Sequence, residues 1–270
     1  MTSQVVRAVS VIGLVALAAG CSGKNPAAPS QAAAPTITGL AIIGADAVLT
    51  SLSASYIVTA TLTDGTTRTV TPAWTSSNPG VASVDGGGRL EGRIHGSTNL
   101  TASYEGRSAT KNVQVVNNYA GTWEGRYVIR ACTDEGELTD HDGGWCKAGA
   151  GRVGTVASIR LTLSQTGSSL SDVRGTLGDY DGNVTGMVGA DGRLSLAGTL
   201  NGWDWDHEVI LATVQIRGWE SNLAGPGVMT GRWSEHLATH IFRIGNADTE
   251  NELVTMTQTS TSAKTASAPR

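Results

Sequence analysis

The sequence predicts an all-β protein in two parts: a β-sandwich, then a second antiparallel β-domain that closes as an eight-stranded up-and-down barrel. Three observations predict it. The palette is that of short strands and tight turns, with 35 Gly, 7 Trp and 5 Tyr against a single Phe in 270 residues, and with Thr, Ser and Val abundant. Apolar residues recur at alternate positions in short runs, the period of a half-buried strand. Turn residues punctuate those runs at regular spacing. The formal net charge of −4 is mild, and no cluster of Lys or Arg interrupts it, so a nucleic-acid partner is not expected.

The leader comes first. Arg7 precedes a run from Ala8 to Ala19 that is apolar or small except for Ser10. The run falls short of the roughly 20 residues that span a bilayer and has the regions of a secretory signal peptide, assigned to residues 1–20. Leu17-Ala18-Ala19-Gly20-Cys21 resembles the lipobox of bacterial lipoproteins. The resemblance implies that Cys21 is lipidated and anchors the mature chain to a membrane. Ser22, where some bacteria place an inner-membrane retention Asp, leans towards the outer membrane or cell surface. An ordinary cleaved signal or an uncleaved anchor is the alternative. Residues 21–35 carry three prolines and little to bury, a flexible stalk.

Residues 36–117 change to short alternating strands. Tyr56 to Leu62 alternates, Thr63-Asp64-Gly65-Thr66 supplies a hairpin turn, and Thr67 to Thr71 returns. Trp74 to Val84, Leu90-Glu91-Gly92 and a closing strand from Ser108 to Val116 follow. About seven strands in this length favour a sandwich. The runs "TDGTTRTVTPAWTSSNPGVASVDGGGRLEG" and "GSTNLTASYEGRSATKNVQVV" closely resemble the bacterial immunoglobulin-like group 2 (BIG2) domain. The resemblance implies an immunoglobulin-like sandwich in which Trp74, Val81 and Val84 are buried structural residues. Arg93-Ile94-His95-Gly96 and Asn99 depart from the family pattern.

Residues 118–245 form the second domain. Trp123, Tyr127 and Ile129 share one face of its first strand, opposed by Glu124, Arg126, Val128 and Arg130; Ile159, Leu161 and Leu163 mark the second. Further strands are expected at Leu170–Leu177, Asn183–Val188, Arg193–Leu200, Glu208–Arg217, Gly227–Ser234 and Thr239–Ile244, with Ala190-Asp191-Gly192 as a hairpin turn. An eight-stranded meander tends to close because closure removes exposed edges. The Gly-x-Trp of Gly121 to Trp123, with Arg243 on the last strand, resembles the calycins. That resemblance implies a Trp closing one barrel end against a basic residue. Residues 246–270, dominated by Thr, Ser and Ala, are expected to be a disordered tail apart from a possible short strand at Leu253–Met256.

Of three cysteines, Cys132 and Cys146 remain once Cys21 is lipidated, and in an export compartment they are expected to be bridged. A thiol metal site would need more ligands than His141 offers. No G-x-S-x-G, P-loop or H-E-x-x-H signature occurs, so an enzyme is not expected. A polysaccharide hydrolase resting on Asp206 or His207 stays as the minor catalytic option. Trp203, Trp205, Asp206 and His207 are the candidate ligand-binding residues, because flat aromatic faces beside carboxylates suit a sugar ring. A structural role for those Trp is the competing view. The loop of Asp134, Glu135, Glu137, Asp140, His141 and Asp142 has oxygen ligands for Ca²⁺ but not EF-hand spacing. His207, His236 and His240 suit Zn²⁺ in type, and Asp179, Asp181 and Asn183 suit either a cation loop or a turn. The plain reading of each is structural, and neither metal nor cofactor is expected. Two functions follow. One is a surface protein that adheres to envelope polymer, carbohydrate or a protein partner, with a filled barrel. The other is a calycin-like binder of a small ligand, with a cavity lined by residues such as Ile159, Leu161, Val209 and Leu211.

Overall fold

The computed structural model describes residues 33–139, 144–147, 151–204, 209–240 and 245–260. All of their regular structure is strand. The sandwich holds ten strands: β1 (Ile37–Ile43), β2 (Ala47–Leu49), β3 (Ser53–Ser55), β4 (Ile57–Leu62), β5 (Thr67–Val70), β6 (Ala73–Ser76), β7 (Ala82–Val84), β8 (Arg89–Gly92), β9 (Gly96–Tyr104) and β10 (Arg107–Val116). They form sheets of order β1-β4-β5, β2-β10-β9-β6 and β3-β8-β7. Tyr56, Leu90, Leu100 and Val113 are fully or almost fully buried at the centre. Val81 is buried there too, whereas Trp74 and Val84 are half-buried and pack against that core from its margin.

The expected turns form for the expected reasons. Between β4 and β5, Asp64 Oδ1 accepts the Thr66 N–H at 3.0 Å and its hydroxyl at 2.7 Å, and Gly65 takes φ 81°, a conformation that costs Gly little. The Ser-Asn-Pro corner is fixed from across the sheet by Thr98, whose buried Oγ1 accepts the Asn78 N–H at 3.0 Å and lies 2.8 Å from the Ser76 hydroxyl.

The second part is the anticipated barrel, built from β11 (Gly121–Gly136), β12 (Val156–Thr166), β13 (Ser169–Leu177), β14 (Tyr180–Val188), β15 (Leu194–Asp204), β16 (Val209–Gly225), β17 (Val228–Thr239) and β18 (Gly245–Ser260). Each strand pairs antiparallel with the next, and β18 returns to β11 from Thr122↔Ser260 to Gly136↔Gly245, so the sheet closes. Trp123, Tyr127, Ile129, Ile159, Leu161 and Leu163 all point into the core as their alternation requires. Val128 is buried as well, at 7 % exposure, although its parity places it outside. Outward positions such as Glu124, Arg160, Glu220 and Glu252 are charged and exposed. Apolar inside and charged outside is the reverse of a lipid-facing barrel.

Two sequence expectations change here. Residues 246–260 are not a disordered tail: β18 is the strand that closes the barrel, while 241–244 of the strand expected at Thr239–Ile244 lie outside the described residues. Its inward residues include Thr249 and Asn251, both buried, so the apolar half of its alternation is diluted. Strand β16 runs past Arg217 to Gly225 because a bulge at Gly218, φ 57°, resets the parity. Ala212, Val214 and Ile216 face inward before it, Trp219 and Ser221 after it.

Sandwich and barrel meet through residues 117–120. Gln165 is the clasp: its Oε1 accepts the Tyr119 N–H at 2.7 Å, and its Nε2 donates to the carbonyls of Asn117 and Gly167, both at 2.9 Å. The β14–β15 hairpin tip docks alongside. Gly192 O accepts the Tyr119 hydroxyl and the Asn117 amide, each at 2.9 Å. Gly192 has φ 80°, and a Cβ there would sit 2.8 Å from Asn117 Nδ2 and 3.1 Å from the His95 ring, so the residue must be Gly for conformation and for space.

Candidate functional site

The two ends of the barrel differ. The end that receives the linker is sealed: Tyr119, Trp123 and Trp219 are buried there, and Trp123 Nε1 donates to Tyr119 O at 2.8 Å. Trp123 thus fills a barrel end. Its partner across β18 is Gln258, and Arg243 lies outside the described residues.

The opposite end holds a cavity of about 240 Å³. Its walls are Tyr127 from β11, Tyr180 from β14, Trp145 from the loop after β11, and Glu235 from β17, with Asp179 at the rim. Ile129, Leu177, Val214, Leu237 and Ala247 supply the apolar floor. Those on strands arrive by strand parity, Trp145 by a loop and Asp179 by a turn. On β17, Met229, Trp233 and Leu237 are the buried inward set, and Glu235 falls in the same register.

A carboxylate in that register needs support. Glu235 accepts the Trp233 indole N–H at 2.6 Å and is hydrogen-bonded by Thr249 and Asn251 from β18. Burial nevertheless dominates and pushes its carboxyl up to about 7, against the pull of those three hydrogen bonds. By exposed surface Glu235 is half-buried, and the surface that it retains faces the cavity. The phenols of Tyr127 and Tyr180 are also pushed up, first by burial, then by charge: that of Glu235 for Tyr127, and those of Asp179 and Glu235 for Tyr180. Asn251 is 2 % exposed; its Nδ2 donates to Thr249 at 2.9 Å, but its Oδ1 has no hydrogen-bond partner. Behind the site, Trp233 stacks on Trp219 with ring centres 4.4 Å apart and meets Tyr127 at 5.1 Å.

The disulfide positions the third aromatic wall. Cys132 and Cys146 are bonded, with Cα atoms 5.5 Å apart. The described residues between them are held at the barrel end: Leu138 is buried in the core, the Trp145 N–H donates to Leu138 O at 2.9 Å, and the Cys146 N–H donates to Asp134 Oδ2 at 2.9 Å. Asp134 therefore shapes the loop. Asp140, His141 and Asp142 lie outside the described residues.

The remaining sequence candidates disperse. Trp203 is on β15 opposite Ile210, at the same end of the barrel as the cavity; Trp205, Asp206 and His207 lie outside the described residues, as does Cys21. His236 Nδ1 is 2.8 Å from Asp248 Oδ1, and His240 Nε2 is 3.2 Å from the Thr213 hydroxyl. Among the described residues no three His, Cys, Asp or Glu converge as metal ligands. Gly178, with φ 57°, and Asp179 make the β13–β14 turn, while Asp181 and Asn183 are exposed within β14. Ile159 and Leu161 belong to the packed core and do not line the cavity. Of the cavity residues, the sequence marks Tyr127 and Ile129 as one face of the first strand, Leu177 as a strand end, and Asp179 as part of a cation loop or a turn. The signal for Glu235 was present: an acid in the inward register of an apolar strand.

A second, larger concavity of about 730 Å³ runs over the outer face of β16, β17 and β18. Gly218 and Gly231 are among its lining residues, and its flanking charges pair, Arg130 with Glu252 at 2.7 Å and Arg193 with Glu220 at 3.8 Å.

No family model matches the chain, and no curated protein matches it. Among solved structures, the chain is similar to the S-layer protein SbsC: 11 % identity and a TM-score of 0.26 over 78 % of this chain and 38 % of that one. Two further SbsC structures, of domains 1–6 and 4–9, give TM-scores of 0.25 at 13 % and 12 % identity, covering 84 % and 79 % of this chain. The chain spans less than half the length of each. At that level of superposition neither a common fold nor a shared function follows.

Proposed function

We propose that this chain is a cell-envelope lipoprotein, anchored through Cys21, in which a BIG2-type sandwich carries a calycin-like barrel that binds a small ligand at its open end. The role is binding and not catalysis. What supports it is the cavity bounded by Tyr127, Trp145, Tyr180 and Glu235: a mostly apolar hollow with a few convergent polar groups and a perturbed carboxylate is the ordinary form of a ligand site. A carboxyl that the fold itself disfavours in its charged form is hard to explain by stability alone. The test is native mass spectrometry of the full chain purified from its own envelope with the disulfide intact. A discrete extra mass, lost when Ala157→Phe fills the cavity while the melting temperature holds, supports the reading. An identical bare mass for both proteins, with no ligand from a fragment screen perturbing Trp145, removes it.

Adhesion to envelope polymer, carbohydrate or a surface protein is the second reading. The outer groove over β16–β18 favours it. Charge reversal at Glu250 and Arg232, which line that groove, should then weaken binding to whole envelopes without altering the cavity.

A further inference from the structure

We infer that the cavity at the open end of the barrel is a site for a small organic ammonium ion, its charge held by the Glu235 carboxylate and its body by the rings of Tyr127, Tyr180 and Trp145. The inference rests on the ligand-binding function proposed above and names the class of ligand.

Charge gives the first reason. Glu235 lies within the wall and Asp179 stands at the rim, while no Lys, Arg or His occurs among the described lining residues. An anion would enter a site with two acids and no cation to meet it, which is strongly unfavourable where the dielectric is low. A cation would meet an opposite charge.

Ring chemistry gives the second. Three aromatic side chains from three separate segments, β11, β14 and the disulfide loop, border one small hollow beside the carboxylate. The negative faces of such rings attract ammonium groups, more so when water is excluded. A bare metal ion fits poorly, because Ca²⁺ asks for six to eight oxygens and no three ligating side chains converge among the described residues.

Hydrogen bonding gives the third. Glu235 and Thr249 present oxygen acceptors to the cavity, and no cationic N–H donor meets them among the described lining residues. A primary or secondary ammonium supplies N–H donors to those oxygens, and a charge-assisted bond to a carboxylate is stronger than a neutral one. Size completes the description. At about 240 Å³ the cavity lies below the roughly 300–1,000 Å³ of drug-sized sites, so the apolar body is one short chain or one ring resting on Ile129, Leu177 and Val214.

The test uses the full chain in detergent and a graded probe set: n-propyl-, n-butyl- and benzylammonium, each beside its alcohol and its carboxylate. Binding is read by NMR from the Trp145 indole and the Tyr127 and Tyr180 rings. At least one ammonium should bind about tenfold or more tighter than its alcohol, with the carboxylate undetected. Glu235→Gln should erase that preference. Should Glu235→Gln misfold, Asp179→Asn, an exposed rim change, should still weaken the ammonium several-fold and leave the alcohol unmoved. Equal binding of alcohol and ammonium at the same resonances overturns the ammonium inference and leaves the ligand-binding function standing. Silence of all three rings to every probe overturns the inference and counts against that function as well.

Discussion

Glu235→Gln tests the central electrostatic claim without any ligand. The folded protein holds the Glu235 carboxyl at about 7, against 4.5 for an ordinary Glu. The fold therefore binds that proton more tightly than the unfolded chain does. Its contribution to stability is fully present below pH 4.5 and is lost as pH rises towards 7. At about 1.4 kcal/mol per pH unit the gap is worth about 3 kcal/mol, and water in the cavity screens part of it, leaving roughly 1–3 kcal/mol. Gln is neutral throughout. Its Oε1 can still accept the Trp233 indole N–H. The variant should match the wild type within about 1 kcal/mol near pH 4.5 and exceed it by roughly 1–3 kcal/mol at pH 8. Urea unfolding followed by Trp fluorescence at half-unit pH steps measures both curves, and the His and other acids cancel in their difference. A difference that stays constant across pH 4.5–8 would refute the burial of a titrating Glu235.

Three further outcomes are expected. Replacing Cys132 and Cys146 together by Ser opens a loop of 14-residue separation and should cost about 3 kcal/mol in the chain-entropy model; a loss under about 1 kcal/mol would mean that the loop's own hydrogen bonds hold it. Truncation after Ile244 removes β18 and leaves β11 and β17 as open edges, so size-exclusion chromatography and near-UV circular dichroism should find an associated chain without fixed aromatic packing. A monomer with native near-UV signal contradicts the closure. Gln165→Leu strips partners from Tyr119 N, Asn117 O and Gly167 O and should cost about 1–3 kcal/mol, with faster limited proteolysis at residues 117–120; an unchanged cleavage rate removes the clasp.

What could be read from the sequence divides along one physical line. Where a strand buries only apolar side chains and keeps strict alternation, as in Ile159-Leu161-Leu163, both the strand and its inward face were legible. Turns were legible where one residue does a stereochemical job, as at Asp64-Gly65 and Gly192. The sandwich followed from many such turns in a short span. Legibility failed where the barrel turns polar inside. Strand β18 hides because Thr249 and Asn251 occupy core positions, and they occupy them because Glu235 across the pair needs donors. Strand β16 was cut short because the bulge at Gly218 shifts its parity midway.

The same residues that hid the strands make the site. An eight-stranded barrel is just wide enough for its side chains to fill it, and at the sealed end Trp123, Trp219 and Tyr119 do fill it. At the other end the inward positions carry Glu235, Thr249 and Tyr180, and packing gives way to a hollow. A Leu at position 235 would bury more apolar area and remove an ionisation that the fold opposes. Keeping the carboxylate costs stability near neutral pH, by the amount that Glu235→Gln is expected to recover. Such a cost is common at positions that serve a ligand and uncommon at positions that serve only the fold. The disulfide fits the same account: with few apolar contacts to hold the open end, the covalent link between Cys132 and Cys146 keeps Trp145 over the cavity. Reducing the disulfide should therefore weaken ligand binding before it unfolds the barrel, because the wall at Trp145 depends on that link and the sealed end does not. Titration of the best-bound ammonium probe with and without reductant, at a urea concentration where the barrel stays folded, separates the two. Loss of binding with the near-UV signal intact is the expected result. Parallel loss of both would place the disulfide in the fold's foundation and not in the site.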